Sequence, residues 1–201
     1  MRLYVIRHGK TDWNLVRRLQ GQTDIPLNEE GVTLARRVGQ GMADISFDYA
    51  ISSPLGRALQ TAQLVLGDRK TPILTDQRLQ EISFGEWEGE KSLESTILPP
   101  NFVEVFFREP MHYERPPKGE TFQEVCDRTR DFYEELVRTP AYQEANILIS
   151  THGAAGRCFL NNFFEDKEDI WRGGVPDNCT VCVVEVTPGR SRILEMDKLY
   201  A

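Results

Sequence analysis

Nothing in this chain is long and apolar enough to span a bilayer, and no leader-like pattern precedes the first strand-like run. A soluble, cytoplasmic protein with no membrane partner is therefore expected. Basic residues are in the minority: 24 Lys and Arg stand against 31 Asp and Glu, a formal net charge of −7. That balance disfavours general nucleic-acid binding and leaves room only for a local basic pocket. Internal repeats and low-complexity tracts are lacking, which excludes solenoids and disordered arrays. Cysteine is sparse, with four in 201 residues. Cys179 and Cys182 have the spacing of a Cys-x-x-Cys motif, but the valine-rich run around them reads as a strand, where residues three apart point to opposite faces. A shared metal or an easy disulfide is not expected there. Together with Cys126 and Cys158 they read as small buried hydrophobes in a reducing compartment.

What is present is a globular composition, 40% hydrophobic and 27% charged, at a length that suits one domain over residues 1–201. Strand and helix signals alternate. Residues 2–7 read as a strand. A helix N-capped by Asn28 runs to about Met42, and Tyr49–Ser52 is a second short strand. A helix starting at Ser53-Pro54, with proline in its first turn, runs through about Leu66. Pro72–Leu74 is a third strand, and a long helix spans 119–138. Strand 146–151 and a helix from about Ala154 follow. Strands 179–186 and 192–198 flank Thr187–Arg190 as a hairpin. This order predicts an α/β fold: a mixed, mostly parallel sheet with helices on both faces, a three-layer α/β/α sandwich. The stretch 85–118, rich in proline and aromatics, breaks the rhythm and reads as a small cap of helices and loops.

Two of the three histidines share a setting. Arg7-His8-Gly9 directly follows the apolar run Leu3–Ile6, so His8 sits where a strand gives way to a loop. Open α/β sheets hold their ligands at such ends. Asn146–Ser150, followed by Thr151-His152-Gly153, repeats the pattern. Arg7 puts a permanent cation beside the first histidine. Arg57 lies near the start of the helix after the second strand, and helix N-termini suit anions. Phosphoryl transfer needs positive charge on the non-bridging oxygens, an aligned nucleophile and a proton for the leaving group. A histidine with one ring nitrogen held by a backbone acceptor presents the other as a nucleophile. Taken singly, a strand-end histidine is more often a satisfied core group, and an arginine a surface charge. Their joint placement at successive strand ends points to phosphoryl chemistry.

Further motifs extend the pattern in order: Thr11, Trp13 and Asn14 after the first histidine; Gln20-Gly21, Asp24, Pro26-Leu27 and Gly31; Ser53-Pro54-Leu55, Arg57-Ala58 and Thr61-Ala62; Leu79-Gln80-Glu81 and Phe84–Gly89; Gly119-Glu120-Thr121; and Thr151-His152-Gly153. This set resembles the histidine phosphatase superfamily, in its phosphoglycerate-mutase-like branch. The resemblance implies a phosphoglycerate-mutase-like fold with His8 as phosphoacceptor. Arg7, Arg57 and His152 would hold the phosphoryl group, and Asn14, Gln20 and the backbones of Gly21 and Gly153 would cradle the substrate phosphate. It selects Glu81 as general acid to the leaving oxygen and later as base for water. The residues alone do not separate Glu81 from Glu86, Glu88 and Glu90, whose simpler reading is a solvated acidic loop. A general acid must carry a proton at working pH; partial burial and the incoming phosphate favour that, and the arginines oppose it. No metal or organic cofactor is implied, because the cations are side chains. Lys10 departs from the glutamate or glutamine of many relatives.

The implied function is hydrolysis of a small phosphorylated metabolite by a metal-independent phosphomonoesterase. A cofactor-dependent phosphoglycerate mutase shares the core, as does an inactive module that senses a phosphorylated ligand. Glycolytic mutases carry a larger basic insertion between the third and fourth motifs than the roughly 30 residues after Gly89 here, which favours the phosphatase. An inactive module would be expected to lose one of His8, Glu81 or His152. In the cap, His112 with Arg108, Arg115 and Lys118 forms a modest basic cluster, either a contact to a second anionic group or a solvated loop. Trp13, Trp87 and Trp171 read as packing residues, with Trp13 a candidate for the pocket mouth. Oligomeric state and the natural substrate are left open.

Overall fold

The computed structural model describes residues 1–201. Its strands are β1 (Arg2–Arg7), β2 (Tyr49–Ser52), β3 (Ile73–Thr75), β4 (Asn146–Thr151), β5 (Val181–Thr187) and β6 (Arg190–Lys198). They form one sheet in the order β3-β2-β4-β1-β5-β6. The pairs β2–β3, β2–β4 and β1–β4 are parallel, and β5 pairs antiparallel with both β1 and β6. The helices are α1 (Asp12–Leu15), α2 (Glu29–Gly41), α3 (Gly56–Leu66), α4 (Phe102–Arg108), α5 (Phe122–Arg138) and α6 (Gly153–Leu160).

Alternation along the central strands splits the core into two layers. Leu3, Val5, Ile147 and Ile149 pack against Phe132 and Leu136 of α5 and Phe159 of α6. Tyr4, Ile6 and Leu148 pack against Ala35 and Val38 of α2 and Ala62 and Val65 of α3. Covered on both faces, β1 has to be apolar throughout, which explains the unbroken run Leu3–Ile6. The three-layer α/β/α sandwich expected from the sequence is the one observed. No helix is long and apolar enough to cross a membrane.

Several boundaries shift for identifiable reasons. α3 begins at Gly56, after Pro54, because Ser53 still extends the β ladder, its amide donating to the Ser150 carbonyl (2.9 Å). The cap of α3 comes from outside the helix: the Gly56 amide donates to the Asp24 carboxylate (2.8 Å). α5 starts at Phe122 with a capping box, in which Thr121 and Glu124 each accept from the other's backbone amide. β3 lies one residue later than expected. Cys179 precedes β5 in a left-handed conformation (φ 62°) rather than lying within the strand. Even so, Cys179 and Cys182 join opposite core layers, so they share no face. Within 85–118, α4 and the turns at Gly85–Trp87 and Pro110–His112 supply Phe102, Phe106 and Tyr113 to an aromatic cluster with Phe84, Phe122 and Trp171. That cluster ties the segment to α5 and to the chain beyond α6.

Replacing Thr121 by alanine removes one half of the α5 capping box. The expected loss is about 1 kcal/mol of stability, read as a lower urea midpoint at unchanged m-value.

Candidate active site

Strand register builds the site. β1 and β4 run parallel with Arg7 beside Thr151, so the next residues, His8 and His152, leave the sheet side by side. Their ring centroids are 5.2 Å apart. β2 and β4 place Ser52 beside Ser150, which brings Ser53 within reach of His152. Gly9 follows the first histidine because the chain passes close to α2 there: a Cβ at Gly9 would stand 2.9 Å from the Gly31 carbonyl oxygen.

Both histidines are almost fully buried, and each ring is held by a hydrogen bond. His8 Nδ1 lies 2.7 Å from the Gly9 carbonyl oxygen and must donate to it, which leaves Nε2 with a bare lone pair. His152 Nε2 lies 2.8 Å from Ser53 Oγ. That hydroxyl also accepts from the Leu55 amide (3.3 Å), so Ser53 anchors the His152 ring through Nε2 and leaves Nδ1 without a partner. Burial, reinforced by Arg57 and Arg7, holds the His8 imidazole well below the usual 6.5. Burial, then Arg57 and His8, does the same to His152. Both rings are neutral at pH 7.

Of the two cations beside them, Arg57 is fully buried and Arg7 half-buried. Arg57 is 0% exposed; its Nη1 donates to the Thr23 carbonyl (2.8 Å) and its Nη2 to the Gly21 carbonyl (2.6 Å). Asp24, its nearest carboxylate, is 3.9 Å away. Burial pulls the Arg57 guanidinium down to about 10, so it keeps its charge at neutral pH. Arg7 donates through Nη1 to the Pro176 carbonyl. Gln20 Oε1 accepts from Thr11 Oγ1 (3.1 Å) and Asn14 Nδ2 (3.4 Å), turning the amide nitrogen the other way. Arg7 Nε, Arg57 Nε, Gln20 Nε2 and His152 Nδ1 are left buried without a protein partner. Buried donors are rarely left unpaired, and those of Arg7, Arg57 and Gln20, three residues that line one cavity with the bare imidazole of His8, make a cradle for a compact anion with several oxygens.

A cavity of about 150 Å³ is lined by Arg7, His8, Asn14, Gln20, Gly21, Arg57, Glu81 and Gly153; His152 is not on its wall but adjoins the His8 ring, with centroids 5.2 Å apart. The sequence-derived set is thus brought together in one place. A larger surface cleft of about 620 Å³ between the end of α5 and the β5–β6 turn has none of these unpaired donors. Among the four candidate acids only Glu81 reaches the cavity. Glu88 instead accepts from the Gln22, Thr23 and Phe84 amides (2.8, 2.7 and 3.2 Å) and so shapes the loop that carries Gly21. Glu86 pairs with Lys118 and Glu90 accepts from Ser95. Glu81 sits at the N-terminus of α6: Oε2 accepts from the Gly153 and Ala154 amides (2.9 and 3.2 Å), and Oε1 from Ala155 and Ile82 (both 2.9 Å). In all four bonds the carboxylate is the acceptor.

The cap cations do not belong to the site. Arg108, His112, Arg115 and Lys118 are solvent-exposed and stand beside Glu104, Glu109, Glu124 and Glu86, respectively. Their exposure and pairing fit the solvated-loop reading, and none of them lines the cavity. Lys10 likewise pairs with Glu30 at the surface (2.7 Å). Trp13 packs beneath Arg18 and against Gly89, whereas Trp171 is on the cavity wall with Phe106 and Phe107, its indole Nε1 donating to the Phe106 carbonyl (2.6 Å). Asn178, not anticipated from sequence, donates to the carbonyls of His8 (2.9 Å) and Gly9 (3.3 Å). No local pattern marks it, because its partners lie 170 and 169 residues away.

Over residues 3–198 the chain matches the family described as histidine phosphatase superfamily (branch 1). It is 35% identical over 156 residues to the "Uncharacterized phosphatase PhoE" of Bacillus subtilis (strain 168), covering 78% of this chain and 74% of that one. It is 32% identical over 165 residues to the "Probable phosphoglycerate mutase GpmB" of Proteus mirabilis (strain HI4320), covering 80% and 74%. The solved structure of Bacillus stearothermophilus YhfR superposes with a TM-score of 0.88 at 33% identity, covering 96% of this chain and 95% of that one. The fold is phosphoglycerate-mutase-like.

The depressed histidines give a sign to the pH dependence. Folding favours the neutral rings, so their contribution to stability is complete above about 6.5 and is lost as the pH falls below it. Nitrogen-15 spectra should show both rings neutral at pH 6.5. Arg57→Met, by removing a neighbouring cation, should move both titrations upward. Rings that titrate at the ordinary value in the wild type would contradict this electrostatic reading.

Proposed function

The chain belongs to the histidine phosphatase superfamily, and on that premise we propose that it is a metal-independent phosphomonoesterase working through a phosphohistidine on His8. The observation that carries this is the bare Nε2 of His8 in a cavity it shares with Arg7, Arg57 and Gln20, each of which has a buried donor without an acceptor. In the proposed cycle Nε2 attacks phosphorus and the bond from phosphorus to the ester oxygen breaks. Arg7 and Arg57 neutralise charge on the equatorial oxygens as it spreads over them, and Gln20 and His152 add neutral hydrogen bonds. Glu81 protonates the departing alkoxide. Water then attacks the phosphohistidine and gives its proton to Glu81, and the P–N bond breaks to release phosphate and restore neutral His8. Because Glu81 accepts four amide bonds at rest, it gives up at least one to carry a proton. Gly153 and Ala154 are then free to donate to phosphoryl oxygens.

The surroundings support hydrolysis over mutase chemistry. A mutase must hold a second phosphate and a carboxylate, yet beyond Arg7 and Arg57 only Arg18 among the cations lines the cavity. The remaining wall is Leu19, Ile82, Phe84, Phe106, Phe107, Trp171 and Val175. Hydroxyls buried there would lose water without gaining partners, at about 1–3 kcal/mol each. An ester of a compact, largely apolar alcohol suits this wall. The names of the relatives include both a phosphatase and a phosphoglycerate mutase.

Phosphate release from alkyl, aryl and sugar phosphates, measured in excess chelator, tests the proposal. Release is expected to fall more than about 10³-fold in His8→Ala. Glu81→Gln should slow alkyl esters by about 10²-fold and spare aryl esters with good leaving groups. Turnover that needs added metal, or that appears only with a bisphosphoglycerate primer, would overturn it.

A further inference from the structure

Arg157 lies on α6, is 3% exposed, and does not line the cavity. Its Nε and Nη2 both donate to the Gly174 carbonyl (3.1 and 3.0 Å), while Nη1 and Nη2 hold the two carboxylate oxygens of Asp197 (3.1 and 2.6 Å). Asp197 is on β6 in the left-handed region (φ 50°), a conformation few residues with a Cβ adopt and aspartate tolerates better than most. A strained backbone there is retained because the surrounding contacts impose it, and the Arg157 fork is the strongest of them.

The carbonyl that Arg157 grips opens the segment 174–178, which leads back into the site. Val175 lines the cavity and packs over Gly153. The Pro176 carbonyl accepts the one protein hydrogen bond made by the Arg7 side chain. Asn178 ties off the far end at the carbonyls of His8 and Gly9. The near end has little packing of its own. Gly173 and Gly174 have φ of 101° and 122°, and a methyl group on either would meet nothing within 4 Å. Apart from the turn bond from the Gly174 amide to the Trp171 carbonyl, the Arg157 fork is what fixes that end.

We propose that Arg157, braced by Asp197, is a positioning residue for phosphoryl transfer: it locks the segment 174–178 so that Pro176 holds the Arg7 guanidinium with its unpaired Nε at the cavity. Lysine cannot replace it, since one ammonium cannot grip a carbonyl and both oxygens of a carboxylate in the planar geometry of a fork. The kinetic part of this inference rests on the phosphatase reading, but binding of phosphate and of vanadate does not.

The test is a double-mutant cycle between Arg157→Lys and Arg7→Ala, read as kcat/KM for the best ester and as vanadate and inorganic phosphate affinities. Alone, Arg157→Lys should lower kcat/KM about 10–100-fold, with vanadate affinity falling more than phosphate affinity. In the Arg7→Ala background it should cost less than about twofold. Asp197→Asn, which keeps the shape and removes the charge, should give a smaller loss with the same dependence on Arg7, and it serves where Arg157→Lys fails to fold. Equal losses with and without Arg7 would reduce Arg157 to a structural residue and overturn the proposal. So would a lowered Tm with vanadate affinity unchanged. A wild-type protein that binds vanadate but releases phosphate from no ester would overturn the phosphatase reading alone, and the binding cycle would still decide the role of Arg157.

Discussion

The parallel pairing of β1 with β4 is the contact on which the site depends, because His8 and His152 are 144 positions apart in sequence and adjacent only in register. That register is strongly determined. A slip of β1 by one residue against β4 would turn Leu3 and Val5 away from α5 and α6 and put Tyr4 and Ile6 in their place. The packing of aliphatic side chains several residues away therefore sets the 5.2 Å spacing of the two imidazoles. The polar ends of these strands depend on the apolar middles, and the sheet positions chemistry that its own core could not contain.

The charges then have to survive burial. Arg57 is held in a fully buried position by two carbonyl oxygens, with its nearest carboxylate no closer than 3.9 Å. Such a cation is poorly compensated, since dipoles replace only part of the lost hydration. Burial keeps His8 and His152 neutral, and the same cations reinforce it. On the proposed reading one arrangement then has two consequences: the His8 imidazole stays unprotonated and able to attack, and the site favours a multiply charged anion that relieves the uncompensated cations. A buried carboxylate tightly paired with Arg57 would have satisfied the cation and removed that pull on an anion.

Much of this was legible in the sequence for a reason that is local. The apolar run before Arg7, the cap at Asn28 and the strand before Thr151 each announce themselves within a few residues, and the two histidine motifs mark strand ends directly. The errors lie where a distant group decides. Ser53 stays in the ladder because of Ser150, and α3 is capped by Asp24 from another loop, so its start could not be read from Pro54. The cap cations were open to two readings in the sequence, and their neighbouring glutamates became visible only in the fold. Asn178, Arg157 and the cavity face of Trp171 carry no periodic or motif signal, and act only through contacts that the fold creates.

Glu81 brings these strands of argument together. At rest it occupies the amides that open α6, where the partial positive charge of a helix start attracts any anion. It competes there with the phosphoryl oxygens that the same amides can serve. In the proposed cycle the exchange is one of hydrogen bonds: a phosphoryl oxygen that takes the Gly153 or Ala154 amide releases the Glu81 carboxylate oxygen bound there, so the helix start that holds the carboxylate at rest is the one that would receive the anion.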